Sequence, residues 1–203
     1  MLTRTAASLL LLALCAAPAI ASVPSPANSS VPSCLFTCPM GDVSATVTVR
    51  DFANNPIAAS TVVFDFSACP RAFLCGPRFG DTFTINLATR TVSLTTNASG
   101  VATFPLRVGG FCDGVKVYAN GVLLATRTLK SVDQDGNGVV LVSDDALLLA
   151  KMGTSDPSGD FNCDGIVDGT DQLLYSQHGS HSCDGIVNPV ERRTWGALKT
   201  HYR

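Results

Sequence analysis

The sequence predicts a mainly β chain: an N-terminal antiparallel sandwich followed by a small α-helical domain built on acidic loop repeats. Period-2 alternation of apolar and polar residues recurs over about 95 residues, which marks strands with one buried face. After it, an Asp/Asn/Gly loop pattern appears twice, 27 residues apart, each time before a short apolar stretch. Charge divides at the same place. Residues 22–131 carry eight basic and five acidic side chains (+3), whereas residues 132–203 carry five and eleven (−6), hidden in a formal net charge of −2. Only 15% of the 203 residues are charged and no Lys/Arg run exists to collect phosphates, which argues against a nucleic-acid partner.

The first element is a secretory signal. Arg4 supplies a positive start, Ala6 to Ala17 an apolar stretch too short to span a bilayer, and Ala19-Ile20-Ala21 a small-residue cleavage site. Cleavage after Ala21 predicts a secreted protein. Residues 22–33, with three Pro and five Ser, are expected to be a disordered leader. The 34–131 sandwich then reads as seven short strands. Val43 to Val49 alternate with Ser44 to Arg50, followed by Val62, Phe64 and Phe66, then Phe83, Ile85 and Leu87, and Val92 and Leu94. Ala102 to Val108 form the next run, where Pro105 cannot donate to a ladder and so predicts an edge or a bulge. Val115 to Ala119 and Val122 to Leu129 flank Asn120-Gly121, the dipeptide best suited to a type I′ hairpin turn.

Export changes how cysteines are read, since disulfides persist outside the cytosol. Seven remain after Cys15 leaves with the signal: Cys34, Cys38, Cys69, Cys75, Cys112, Cys163 and Cys183. Spacing predicts a Cys69–Cys75 clip, a Cys163–Cys183 clip, and a bond from Cys112 to either Cys34 or Cys38, leaving one thiol over. A zinc site opening on Cys34 and Cys38 is disfavoured because no His precedes His178 and no second close pair exists.

Catalysis finds little material in residues 22–131, which contain no His, Glu or Trp. Of their five Asp residues (42, 51, 65, 81 and 113), Asp42, Asp51 and Asp81 fall at strand ends and Asp113 in a Gly-rich turn, where Asp bonds backbone. A non-enzymatic role is expected. Asn55-Pro56-Ile57 to Phe64, with Thr96-Asn97-Ala98-Ser99-Gly100-Val101-Ala102, resembles the invasin-type bacterial Ig-like domain. That resemblance implies a spacer or adhesive module.

The acidic segment holds the strongest motif. Asp133, Asp135, Asn137 and Asp144 occupy positions 1, 3, 5 and 12 of a twelve-residue calcium loop, with Gly138 at position 6 and the Val139 carbonyl at position 7. Asp160, Asn162, Asp164, Asp168 and Asp171 repeat it with position 9 filled, Gly165 at position 6 and Ile166 at position 7. Calcium takes six to eight hard oxygens, and Gly at position 6 permits the sharp turn that closes the loop. Val140 and Val167 at position 8 are expected to point inward and pair the two loops. Two Ca2+ sites are therefore predicted, each leading into an apolar helical stretch.

These tandem loop-plus-helix repeats over residues 132–179 resemble the type I dockerin family, in which Asp closes the loop. The resemblance implies docking to a cohesin module on another protein, with Ser143 and Thr170 at the recognition positions. Leu149, Ala150, Ser176 and Gln177 depart from the family's usual contacts. A degenerate third copy at 180–200 places Ser180, Ser182, Asp184, Asn188 and Glu191 as loop oxygens. With only Asp184 and Glu191 charged, it should bind calcium weakly or not at all. His178, His181 and His201 are expected to be solvated, and Trp195 to lie in the core of a last helix. Three roles follow: a calcium-dependent docking module; an accessory or targeting subunit of a polysaccharide-degrading system, touching carbohydrate; or an adhesive envelope protein with structural calcium.

Overall fold

The computed structural model describes residues 22–186. The signal segment, Asn188, Glu191, Trp195 and His201 lie outside them.

Alternation builds the strands where it was expected. Ser44–Thr48 (β2), Thr61–Asp65 (β3), Thr84–Asn86 (β5), Thr91–Thr95 (β6), Val101–Pro105 (β7), Phe111–Ala119 (β9) and Val122–Ser131 (β10) all form. Three short strands that the sequence did not signal join them: Leu35–Thr37 (β1), Phe73–Leu74 (β4) and Val108–Gly109 (β8). The main sheet has six strands in the order β1-β10-β9-β3-β6-β5. Among the described strands, β2 pairs with β7 alone, and β4 with β8 alone. Pro105 accordingly ends an edge strand, opposite Ser44. Asn120 and Gly121 take φ of 46° and 80° and close the β9–β10 hairpin.

The expected architecture, a two-sheet Ig-like antiparallel sandwich plus a separate small α-helical calcium-loop domain, does not form. The chain is mainly β, 35% strand and 10% helix, and its main sheet curls into a half-barrel. That sheet is not purely antiparallel, because β1 runs parallel to β10, Leu35 opposite Leu129. Among the described residues the only helices are Val142–Leu149 (α1) and Gly169–Gln177 (α2). Each is too short to be stable alone in water. Each also buries just two side chains, Asp144 and Leu148 in one, Asp171 and Tyr175 in the other. One apolar residue per helix cannot make a core.

The helices instead complete a second core shared with the β region. β1 divides the two: strand alternation sends Leu35 into the main core and Phe36 against the second. The second core gathers Cys38, Val132, Val140, Leu148, Phe161, Val167 and Tyr175. A hairpin of His181–Ser182 (β11) and Gly185–Ile186 (β12) closes the described chain.

Residues 22–33 are paired rather than disordered. The Ser25 N–H donates to the Arg50 carbonyl at 2.7 Å, and Ser30 and Thr48 exchange backbone hydrogen bonds. Pro and Ser disfavour regular structure, but they leave enough N–H groups to line an open strand edge.

The disulfides are Cys34–Cys163, Cys69–Cys112 and Cys75–Cys183, with Cys38 free. None of the predicted pairs forms. β4 draws the chain out between Cys69 and Cys75, so each meets a distant partner. The loop copies carrying Cys163 and Cys183 are held apart, one against β1 and the other against loop 1, where the Cys183 N–H donates to the Gly138 carbonyl. Two of the three bonds therefore fasten the acidic segment to the β region.

Candidate metal centre

Both acidic loops fold to one hydrogen-bonding scheme. The carboxylate at position 12 accepts N–H groups from positions 2, 3 and 9: Gln134, Asp135 and Leu141 to Asp144 at 2.8, 3.1 and 2.8 Å. In the second loop Phe161, Asn162 and Asp168 donate to Asp171 at 2.6, 3.2 and 2.9 Å. The carboxylate at position 1 accepts from positions 5 and 6, Asn137 and Gly138 on Asp133, and Asp164 and Gly165 on Asp160. The closing Asp also serves as the acid at the third helical position, where it complements the helix N-terminus. Among the described residues no hydrogen bond is made to the carbonyl of Val139 or Ile166, the position-7 oxygens.

In loop 1 the acids converge. Asp133, Asp135 and Asp144 each offer an oxygen within 4.8 Å of the others, and Asp133 and Asp144 are fully buried. Burial, and for Asp133 also the neighbouring Asp144, push both carboxyls above their usual range. Among the described residues neither has an ion-pair partner. The set is made of hard oxygens, which suits calcium rather than a softer ion.

Two glycines let this loop close. Gly138 has φ of 85°, and a Cβ there would stand 2.8 Å from the Phe73 ring. A Cβ on Gly109 would lie 1.9 Å from Asp133 Oδ2, so β8 must present bare backbone to the position-1 carboxylate. Gly109 was missed in the sequence; the Gly109-Gly110 pair ending a strand was its only trace.

Loop 2 differs, although its sequence is the more complete. Lys130, buried at the end of β10, places Nζ 3.3 Å from Asp160 Oδ2. The protein thus supplies its own cation at position 1. Among the described residues no three acids of this loop approach as closely as those of loop 1. A lysine immediately before the acidic segment was the available signal.

Val140 and Val167 are fully buried as expected, but they do not pair the loops with each other. Val140 exchanges backbone hydrogen bonds with Ser180 and His181, and Val167 with Gly153 and Thr154. The helices meet through side chains: Tyr175 Oη donates to the Leu141 carbonyl at 2.5 Å, and Gln172 to Asp145 at 2.6 Å. Ser143 and Thr170 are both exposed at the second residue of their helices. In the third copy Ser180 and Ser182 belong to the loop-1 pairing, and Asp184 lies exposed in the β11–β12 turn.

His178 and His181 are buried rather than solvated, each 9% exposed. Both face Asp42, which the sequence assigned to backbone bonding alone. Helix α2 ends at His178, and its turn carries His181 back under loop 1. Asp81 is likewise not a turn residue only: it holds buried Arg107 through two hydrogen bonds.

No protein-family model matches this chain, and no curated protein is similar to it. The three disulfides are compatible with an extracellular protein. No helix among the described residues is long and apolar enough to cross a membrane.

Proposed function

We propose that this chain is an exported, non-enzymatic calcium-binding protein whose tandem loop-plus-helix segments dock it to a partner protein. One observation carries the calcium reading: Asp133 and Asp144 are both fully buried and convergent with Asp135, and among the described residues neither has an ion-pair partner. Burying two like charges is costly, and a divalent ion removes that cost while satisfying the open oxygens. Loop 1 is the stronger site, and loop 2 binds against competition from Lys130.

Docking is supported by the outer faces of the helices. Val142, Leu147, Leu149 and Leu173 are all exposed, beside Ser143 and Thr170. A cohesin-type receptor is the partner class that the repeat pattern implies. A second reading, calcium as a purely structural brace in an adhesive protein, is favoured by Cys34–Cys163 and Cys75–Cys183, which staple the loops to the β region.

Calorimetric titration of the full chain with Ca2+ tests the common part. Binding at or below about 1 mM, within the range of extracellular modules, and its loss at one site in Asp133→Asn are expected. Absence of any calcium heat would overturn the proposal. Capture by a cohesin panel in calcium but not in EDTA selects docking; no capture selects the brace.

A further inference from the structure

We propose that Cys38, Asp42, His178 and His181 form a second, chemically distinct metal site that holds one zinc ion. Their ligand atoms, one thiol sulfur, one carboxylate oxygen and two imidazole nitrogens, all lie within 4.8 Å of one another. Cys38 Sγ is 3.4 Å from His181 Nδ1. Asp42 Oδ2 is 2.8 Å from His178 Nδ1 and 3.2 Å from His181 Nδ1. Tetrahedral zinc, with bonds of about 2.0 Å to N or O and about 2.3 Å to S, separates neighbouring ligand atoms by about 3.3 to 3.6 Å. Small side-chain adjustments bring the four atoms to those separations.

A nucleophilic Cys–His–Asp arrangement is the competing reading, and the imidazole of His181 decides against it. In such a triad the thiol and the carboxylate engage opposite ring nitrogens, so that one accepts the proton while the other is held. Here Cys38 and Asp42 both address Nδ1 of His181. Cys38 is also 0% exposed, with no path for a substrate to its sulfur. Ligand atoms pointing at one common centre suit chelation.

The donor set selects the ion. One sulfur and two nitrogens are too soft for calcium, and four protein ligands without an open position describe a structural zinc site. Binding is balanced by one proton: the Cys38 S–H bond breaks, the sulfur forms a bond to Zn2+, and the proton leaves to solvent. The neutral imidazoles donate Nδ1 lone pairs, and Asp42, whose side chain is 26% exposed, gives the ion its way in. The ion would join the segment after β1 to the turn after α2, beside Cys75–Cys183, whose Cys75 sulfur lies 3.5 Å from the Pro39 carbonyl. It would also fix His181, whose carbonyl accepts the Val140 N–H of loop 1.

The test uses the full, disulfide-bonded chain in saturating calcium, stripped of transition metal and titrated with Co2+ as a spectroscopic probe. Expected is one equivalent with intense tetrahedral ligand-field bands and a thiolate-to-cobalt charge-transfer band, both displaced by Zn2+. Cys38→Ser should abolish the charge-transfer band. Asp42→Asn, at the open side, should fold normally and weaken Zn2+ binding by about a hundredfold or more, beyond the loss typical of outer-shell changes. Weak octahedral spectra identical in wild type and Cys38→Ser would overturn the proposal, as would Zn2+ affinity unchanged in Asp42→Asn. Because calcium is saturating throughout and read separately, failure here leaves the calcium proposal untouched.

Discussion

Removing the Cys34–Cys163 bond should cost more than its exposed position suggests. The two cysteines are 129 residues apart, but Cys75–Cys183 shortens the path between them. Through that second bond the unfolded chain needs only about 61 residues: roughly 41 from Cys34 to Cys75 and 20 from Cys183 back to Cys163. Loop-closure entropy for that length is worth about 4.3 kcal/mol at 25 °C. For a chain of this size each kcal/mol moves the thermal midpoint by about 2–4 °C. The double variant Cys34→Ser/Cys163→Ser should therefore melt about 9–17 °C lower, followed by circular dichroism in saturating calcium. Loop 2 should also lose calcium affinity, because Cys163 sits at its fourth position and the untethered loop must be ordered by the ion alone. A midpoint drop below about 3 °C would refute this chain-entropy reasoning. Peptide mapping that finds Cys69 joined to Cys75 in the wild type would refute the connectivity itself.

Lys130→Met should raise calcium affinity at loop 2 by about tenfold or more, since an ammonium beside Asp160 repels the ion; calorimetry comparing the second binding step decides it. Unchanged affinity would show that Lys130 swings clear at no cost. Asp81→Asn should destabilise the fold by about 3 kcal/mol in urea, because it leaves Arg107, 5% exposed, without its carboxylate. The same pair sets an acid limit. Arg107 holds the Asp81 carboxyl below the usual carboxylate range, so its stability is in full force above about pH 4 and is lost as pH falls through the lower folded value. Stability measured between pH 5 and 2 should lose this component in Asp81→Asn.

How much of this was legible beforehand depends on the range of the interaction. Strands β2, β3, β9 and β10 follow from alternation, and the β9–β10 turn from Asn120-Gly121, because each is decided within a few residues. The loops are legible for the same reason: ligand spacing and backbone hydrogen bonds lie within twelve positions. β1 was not, since three residues between two cysteines show no pattern, and its partner β10 lies far along the chain. The disulfides failed in the same way, because sequence proximity is no guide once β4 extends the chain between Cys69 and Cys75. His178 and His181 looked solvated because their irregular spacing matches no motif. Only the packing of the turn after α2 beneath Phe36 and Asp42 gives them a common centre. The independence expected of the acidic segment failed because only one apolar side chain of each helix, Leu148 and Tyr175, finds a buried place, a count set by packing that the apolar stretches in the sequence did not show.

β1 has a further consequence, for the order of events when the chain folds. Its register sets Leu35 against Leu129, and Cys34 waits for a partner 129 residues downstream. The main core cannot be finished until β10 has emerged, nor the second until the acidic repeats have, which places this fold among slow, topologically demanding ones. Under the export proposed above, the chain would meet oxidant with its nearest thiols, Cys34 with Cys38 and Cys69 with Cys75, as the easiest partners. All of those early bonds would be non-native, so maturation would run through thiol–disulfide exchange, with Cys38, the thiol that ends unpaired, available as the attacking group until the second core closes over it.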